Sequence, residues 1–241
     1  MRALAVMYVL LIPCVILFVR SKHKAGGSAP LTVALKAAST TVIALMAVVG
    51  LAGVRESMRA YAVLVAAALI LGLVGDVVIC QPEPGGFLSG MAYFALGHLC
   101  YIGAFLQVST HAAWAVPVFL VLYGGFLTAV VHLAKKFANM LVPTAIYGAV
   151  IAAMLSLSAT APFSLSRGYI LTAAAVLFAV SDGLLAYNTY SGAGNTNELS
   201  FLRHCCNTFH QLPNGSRPLD WVSLCCYFAG QSLFAASVFC L

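Results

Sequence analysis

The chain has 241 residues, of which 62% are apolar and only 7% are charged. A soluble globular domain carries roughly 25% charged residues, so this composition cannot cover a water-facing surface, and a bilayer is the solvent that tolerates it. The net charge of +6 comes from twelve Lys and Arg against six acids. In a membrane protein such an excess reports topology through basic loops. The basic residues are scattered rather than striped along one face, which argues against a nucleic-acid partner.

Arg2 is followed by an apolar run from Ala3 to Val19 and then by Arg20, Lys22 and Lys24. The run is longer than a signal-peptide core, and Phe18-Val19-Arg20 lacks the small residues of a cleavage site. It predicts a first membrane helix over about 3–19 that is retained. A helical span needs about 20 mostly apolar residues, and further runs of that kind fall at 31–52, 60–80, 87–107, 112–132, 138–157, 168–189 and 219–240. The fold class is therefore all-α, a bundle of eight transmembrane helices in one domain spanning residues 1–241. Most connectors are short. The stretch 190–218 is rich in Gly, Asn, Ser and Pro and predicts a flexible connector.

Eight cysteines show no CxxC pair and lie mostly in or beside apolar runs, where they serve as small hydrophobes. His204, Cys205, Cys206 and His210 cluster, but their spacing fits no standard zinc site, so no metal is expected. The connectors after helices one, three, five and seven carry seven Lys and Arg (Arg20, Lys22, Lys24, Lys135, Lys136, Arg203 and Arg217) against four on the opposite face (Arg2, Arg55, Arg59 and Arg167). That bias places both termini on the extracytoplasmic or lumenal side. A glycan on the sequon Asn214-Gly215-Ser216, in a connector assigned to the cytosol, would invert the assignment.

Ionised groups inside hydrocarbon are expensive and are functional-site candidates by default. Asp76 falls about four residues before the predicted end of helix three, and Asp182 about seven before the end of helix seven. The two helices run in the same direction, so both carboxyls lie about 6–10 Å inside one face of the membrane. Lys36 in helix two, His98 in helix four and Gln231 in helix eight fall in the same half, with Tyr93, Asn188 and Tyr227 on these helices. Within helix four, Phe87, Gly90, Phe94, His98 and Tyr101 recur at three- and four-residue steps and share a face. Gly86 and Gly90 form a GxxxG pair, and Gly97 also permits close helix approach. Each supporting residue has a plainer reading: Lys36 as a snorkelling lysine, His98 as a packing histidine, Gln231 as interhelical glue, and the aromatics as core. Two acids at matched depth resist a packing explanation.

Gly75-Asp76 followed by Phe87-x-x-Gly90-x-x-x-Phe94-x-x-Gly97-His98-x-x-Tyr101-x-x-x-Phe105 resembles the signature of the lysoplasmalogenase (YhhN-like) family. Ser181-Asp182-Gly183-x-x-Ala186 and Tyr227-Phe228-Ala229-Gly230-Gln231 resemble that family's other two blocks. The resemblance covers residues 36–231, and its weight lies in the order and spacing of the motifs. Two departures are visible: Lys36-Ala37 stands where the family has Lys-Pro, and the 190–218 connector is longer than typical.

The resemblance implies hydrolysis of the vinyl ether bond of lysoplasmalogens, releasing a fatty aldehyde and glycerophosphocholine or glycerophosphoethanolamine. It assigns catalysis to Asp76 and Asp182. Lys36, Tyr93, Phe94, His98, Tyr101, Asn188, Tyr227 and Gln231 are the substrate-binding or supporting residues. It implies no cofactor. The partners are a lysophospholipid held within the bilayer and water as co-substrate, and a homodimer is left open. It also implies the endoplasmic reticulum membrane for a eukaryotic chain and the inner membrane for a bacterial one.

A vinyl ether must be protonated at the carbon beta to oxygen, giving an oxocarbenium ion that water captures. The site then needs one carboxylic acid that keeps its proton and one group that activates water. Burial and a neighbouring carboxylate both favour the protonated form of a carboxyl, as in the paired carboxylates of glycosidases. The spacing leaves open which aspartate is acid and which is base, and a coupled pair titrates as a unit. Intramembrane aspartyl proteases also pair membrane aspartates, but within Gly-x-Gly-Asp and Tyr-Asp. Leu73-Val74-Gly75-Asp76 and Val180-Ser181-Asp182 match neither. A small transporter or channel that uses the same aspartates for protons or cations is the non-enzyme alternative. The repeated halves and broken helices that mark many transporters are not visible. A lipid-binding scaffold without turnover is the third reading.

Overall fold

The computed structural model describes residues 2–25, 29–81, 84–133, 140–161, 168–191 and 218–240. Among the described residues there are eight helices long and apolar enough to cross a membrane, and no strand. They are α1 (Arg2–Ala25), α2 (Pro30–Leu51), α3 (Arg59–Ile79), α4 (Pro84–Val108), α5 (Ala115–Leu133), α6 (Leu141–Ser158), α7 (Tyr169–Ser191) and α8 (Pro218–Cys240). Single 3-10 turns at Glu56–Met58 and Ala112–Trp114 lead into α3 and α5. Each predicted span is found within a few residues of its expected place.

The largest difference lies at the end of α1. α1 continues to Ala25, so Arg20, Lys22 and Lys24 ride on its last turns rather than in a connector. Lys and Arg are good helix formers, and their long stems let the charge reach the headgroup level from inside a helix. α2 begins at Pro30, a residue suited to the first helical position because no N–H is needed there. Ser21 Oγ and Thr32 Oγ1 lie 2.7 Å apart and tie the end of α1 to the start of α2. The sequon Asn214-Gly215-Ser216, the His204–His210 cluster and most of the 190–218 connector lie outside the described residues.

Six helices form a ring in which each touches the next, in the order α2, α3, α4, α6, α7, α8 and back to α2, with α3 also touching α8 across it. α1 lies outside the ring on α2, and α5 lies outside it on α6. α8 is the most buried span, and α1 and α5 are the least. The core is filled by Met46, Tyr61, Phe105, Phe178, Leu171 and Phe234. The outer surface is apolar in the manner of a bilayer-facing wall, with Val9 of α1 68% exposed and Val121 of α5 75% exposed.

Lipid tails give apolar helices no reason to associate, so close backbone approach and interhelical hydrogen bonds must hold them. A Cβ on Gly90 would stand 2.6 Å from the Ile79 Cβ, and one on Gly97 would stand 3.1 Å from the Ala68 carbonyl oxygen. These glycines bring α4 against α3, and Gly86 packs there too, as the GxxxG pattern predicts. Gly230 does the same for α8 against the Ala174 carbonyl of α7. The Tyr61 hydroxyl and Ser237 Oγ, 2.5 Å apart, join α3 to α8.

Candidate active site

α2, α4, α6 and α8 enter the bundle from the end at which α1, α3, α5 and α7 leave it. Lys36, Asp76, Asp182 and Tyr227 sit in that half because each lies within three turns of such an end, whereas His98 and Gln231 lie near the middle of their helices. Lys36 is six residues after Pro30, and Asp76 is three before Ile79. Asp182 is nine before Ser191, and Tyr227 is nine after Pro218. α7 runs farther than expected, so Asp182 is deeper than Asp76 relative to its own helix end. Both nevertheless line one cavity of about 320 Å³ inside the helix ring.

Each carboxylate has its own set of partners. Lys36 Nζ lies 2.8 Å from Asp76 Oδ1, and the Tyr227 hydroxyl donates to Asp76 Oδ2 at 2.5 Å. Both side chains of this ion pair are buried, at 7% and 0% exposure. Removing two charges from water is costly, and a pair of this kind persists when its geometry is close and further donors complete it. Behind Tyr227, Gln231 Nε2 lies 3.4 Å from the tyrosine oxygen, and the Tyr101 hydroxyl donates to Gln231 Oε1 at 3.1 Å. A chain of polar contacts therefore runs from Asp76 through Tyr227 and Gln231 to Tyr101, across α3, α8 and α4. Tyr101 is held in turn by stacking on Phe234, with ring centroids 4.0 Å apart.

Asp182 is held differently. The Tyr147 hydroxyl of α6 donates to Asp182 Oδ2 at 2.6 Å, and His98 Nε2 of α4 lies 3.6 Å from the same oxygen. Tyr147 also lies 3.4 Å from His98 Nε2, so phenol, imidazole and carboxylate form one cluster. Phe178 packs edge-on to the His98 ring at 4.7 Å and fixes its plane. Asp182 is the more open acid, with 14% of its side chain exposed.

Gly75, immediately before Asp76, has a structural reason: a Cβ there would stand 3.2 Å from the Phe94 ring. Phe94 lines the cavity and stands edge-on to Phe178 and Tyr227. The structure thus brings Lys36, Asp76, Phe94, Asp182 and Tyr227 to the cavity wall. It sets His98 and Gln231 behind that wall, in contact with Asp182 and Tyr227 that line it, and Tyr101 one step farther back on Gln231. Tyr93 is not brought there. It is half-buried and lies off the cavity, because one residue step turns it about 100° around α4 from Phe94. Asn188 falls within α7, but its side chain lies outside the described residues.

The cavity lining also includes Tyr147, Ser223 and Lys22, which the sequence did not single out as site residues. Tyr147 sits six residues into α6, a depth that matches the other site residues, and Thr144 precedes it by three. Its depth is the signal it shares with Lys36, Asp76 and Asp182. Ser223 Oγ donates to the Ser181 carbonyl at 3.0 Å and pins α8 beside Asp182. Lys22 carried a topological meaning alone until α1 proved long enough to bring it to the cavity. No group of three or more His, Cys, Asp or Glu side chains suited to a metal ion occurs among the described residues.

The sequence model of the YhhN family matches residues 31–238, which takes in the ring helices and the cavity lining except Phe18 and Lys22 of α1. The chain belongs to the YhhN family. It is 31% identical over 155 residues to the lysoplasmalogenase TMEM86B of Homo sapiens, a match that covers 64% of each chain. The Mus musculus protein of the same name is 32% identical over 51% of this chain and 50% of its own. The Rattus norvegicus protein is 34% identical over 54% of this chain and 51% of its own. The match therefore spans a little under two thirds of the human relative and about half of the rodent ones. No solved structure matches the chain.

Proposed function

We propose that this protein is a lysoplasmalogenase that cleaves the vinyl ether bond of 1-alkenyl glycerophospholipids by acid–base catalysis from Asp182 and Asp76. The observation that carries the reading is that two intramembrane carboxyls, each with separate donors, line one largely apolar cavity. The names of the relatives support the same activity.

The partners divide the roles. Asp76 is one half of a close ion pair with Lys36, so it enters the cycle as a carboxylate. Asp182, faced by a phenol and an imidazole instead of an ammonium, enters as the carboxylic acid. Asp182 gives its proton to the carbon beta to the ether oxygen, leaving an oxocarbenium ion that the Asp76 carboxylate stabilises. Water adds to the ion as Asp76 takes its proton, forming a hemiacetal. The hemiacetal hydroxyl returns a proton to Asp182, the carbon–oxygen bond breaks, and Asp76 protonates the departing oxygen. Aldehyde and alcohol leave, and both aspartates regain their starting states. Tyr147 and His98 stabilise the Asp182 carboxylate that exists between the first and last steps.

Lys22, at the connector end of the cavity, stands where a lipid phosphate would lie. The membrane is the endoplasmic reticulum if the chain is eukaryotic and the inner membrane if it is bacterial. The deciding experiment is aldehyde release by purified protein in detergent, comparing a lysoplasmalogen with its ester-linked counterpart. Aldehyde is expected from the vinyl ether alone, and an inert enzyme on that substrate would rule the activity out. Tyr147→Phe removes one hydrogen bond to a charged group, and turnover is expected to fall about ten- to a hundredfold with an unchanged melting profile. A full-rate Tyr147→Phe enzyme would remove Tyr147 from the mechanism.

A further inference from the structure

The cavity has a direction. Along α6, the residues that line it are Thr144, Tyr147, Gly148, Ile151, Ala152 and Leu155. Steps of three and four residues put them on one helix face. The order of polarity along that face is not random. Thr144 and Tyr147 come first, and Tyr147 is bonded to Asp182. Everything deeper is apolar. Leu122 from α5 and Ala179 from α7 add apolar surface to the lining. At the junction the Phe126 ring lies directly on Gly148, where any Cβ would overlap it. Gly148 thus lets α5 close the side of the cavity.

We propose that this deep face of α6, from Gly148 to Leu155, is the track that holds the aliphatic chain of the substrate. The proposal rests on the reading of function given above and adds to it where the chain goes and how much of it is enclosed. A substrate with its vinyl ether beside Asp182 has a charged headgroup on one side and a hydrocarbon tail on the other. The polar residues at the connector end suit the headgroup, and the apolar arm suits the tail. Tyr147 and Leu155 are eight residues apart on one helix, about 12 Å at 1.5 Å per residue. An extended chain advances about 1.2 Å per bond, so the arm encloses about ten carbons. The remainder of a longer chain passes beyond Leu155 and makes no further enclosed contact.

The consequence is a break in chain-length dependence. For a lipid monomer taken from water, each methylene placed in the arm strengthens binding by about fourfold, from about 0.8 kcal/mol per buried CH₂. Beyond about ten carbons the gain per methylene falls sharply.

The test uses dissociation constants of full-length protein for a homologous series of saturated 1-alkyl glycerophosphocholines. These lack the vinyl double bond and report binding without turnover. Wild-type protein is expected to show the break near about ten carbons, and Ile151→Trp is expected to move it about five carbons shorter, since Ile151 precedes Leu155 by about 6 Å. Leu155→Trp is expected to move it less, and Leu155→Ala to move it to longer chains. The alanine variant keeps the proposal testable if a tryptophan proves too large to fold. An identical break in wild type and the variants, or a steady gain with no break, would place the chain in the surrounding bilayer and overturn the proposal. Failure to release aldehyde from a vinyl ether strikes at the hydrolysis alone, because the alkyl series does not depend on it.

Discussion

Asp182→Asn is expected to lower aldehyde release by about 10²–10⁴-fold, the range supplied by a positioned acid or base. Asparagine matches aspartate in shape and still accepts the Tyr147 hydroxyl through its carbonyl oxygen, so the cluster on α4, α6 and α7 keeps its packing. What it lacks is a transferable proton. Asp76→Asn is expected to cost as much in rate, for a different reason. It removes the carboxylate that stabilises the cation and accepts the proton of water, and it leaves the buried Lys36 ammonium facing a neutral amide. The two variants should therefore separate in stability while agreeing in rate. Asp182→Asn melts near wild type, and Asp76→Asn melts lower. Steady-state aldehyde release and thermal unfolding in one detergent measure both. Near-normal turnover in either variant would end the two-aspartate mechanism.

The sequence shows the axial position of each polar residue but not its rotation around the bundle. Apolar run lengths locate eight helices, because a bilayer thickness sets how long a span must be. Counting residues from each helix end then gives a depth, and Lys36, Asp76, His98, Asp182 and Gln231 all come out in one half of the membrane. Azimuth is another matter. It depends on the order of helices in the ring, and nothing in a run of Leu, Val and Ala states that α6 follows α4 while α5 stands outside. The pairing of Lys36 with Asp76 and of Asp182 with Tyr147 and His98 is therefore a finding of the structure. Tyr93 shows the same limit from the other side. It has the right depth on the right helix, yet it is not among the residues that line the cavity. Tyr147 carries no signal in its residue type, because a tyrosine in a membrane helix is commonplace, whereas an aspartate there is not. The glycines read better. Gly86, Gly90 and Gly97 mark a close contact of α4 in advance, since a missing side chain in a membrane helix has few uses besides close approach, and the structure shows that the partner is α3.

The ion pair gives the second large effect. Lys36→Met is expected to destabilise the protein by about 3–5 kcal/mol, the cost of leaving one partner of a buried pair charged and alone. Methionine fills much of the volume of the lysine stem, so lost packing contributes little. The loss falls on the Asp76 carboxylate, which at 0% side-chain exposure has no bulk water around it to replace the ammonium. Combining Lys36→Met with Asp76→Asn should recover most of that loss, because the double variant buries no net charge and keeps a Tyr227 contact to the amide oxygen. Reversible unfolding of the four proteins gives the coupling energy directly. Strong coupling means that Lys36 serves chiefly to hold Asp76 ionised and aligned, and the double variant is then stable but inactive. A Lys36→Met protein that unfolds like wild type would show that α2 and α3 do not depend on this pair, and the role of Lys36 would have to be sought in its contact with the substrate.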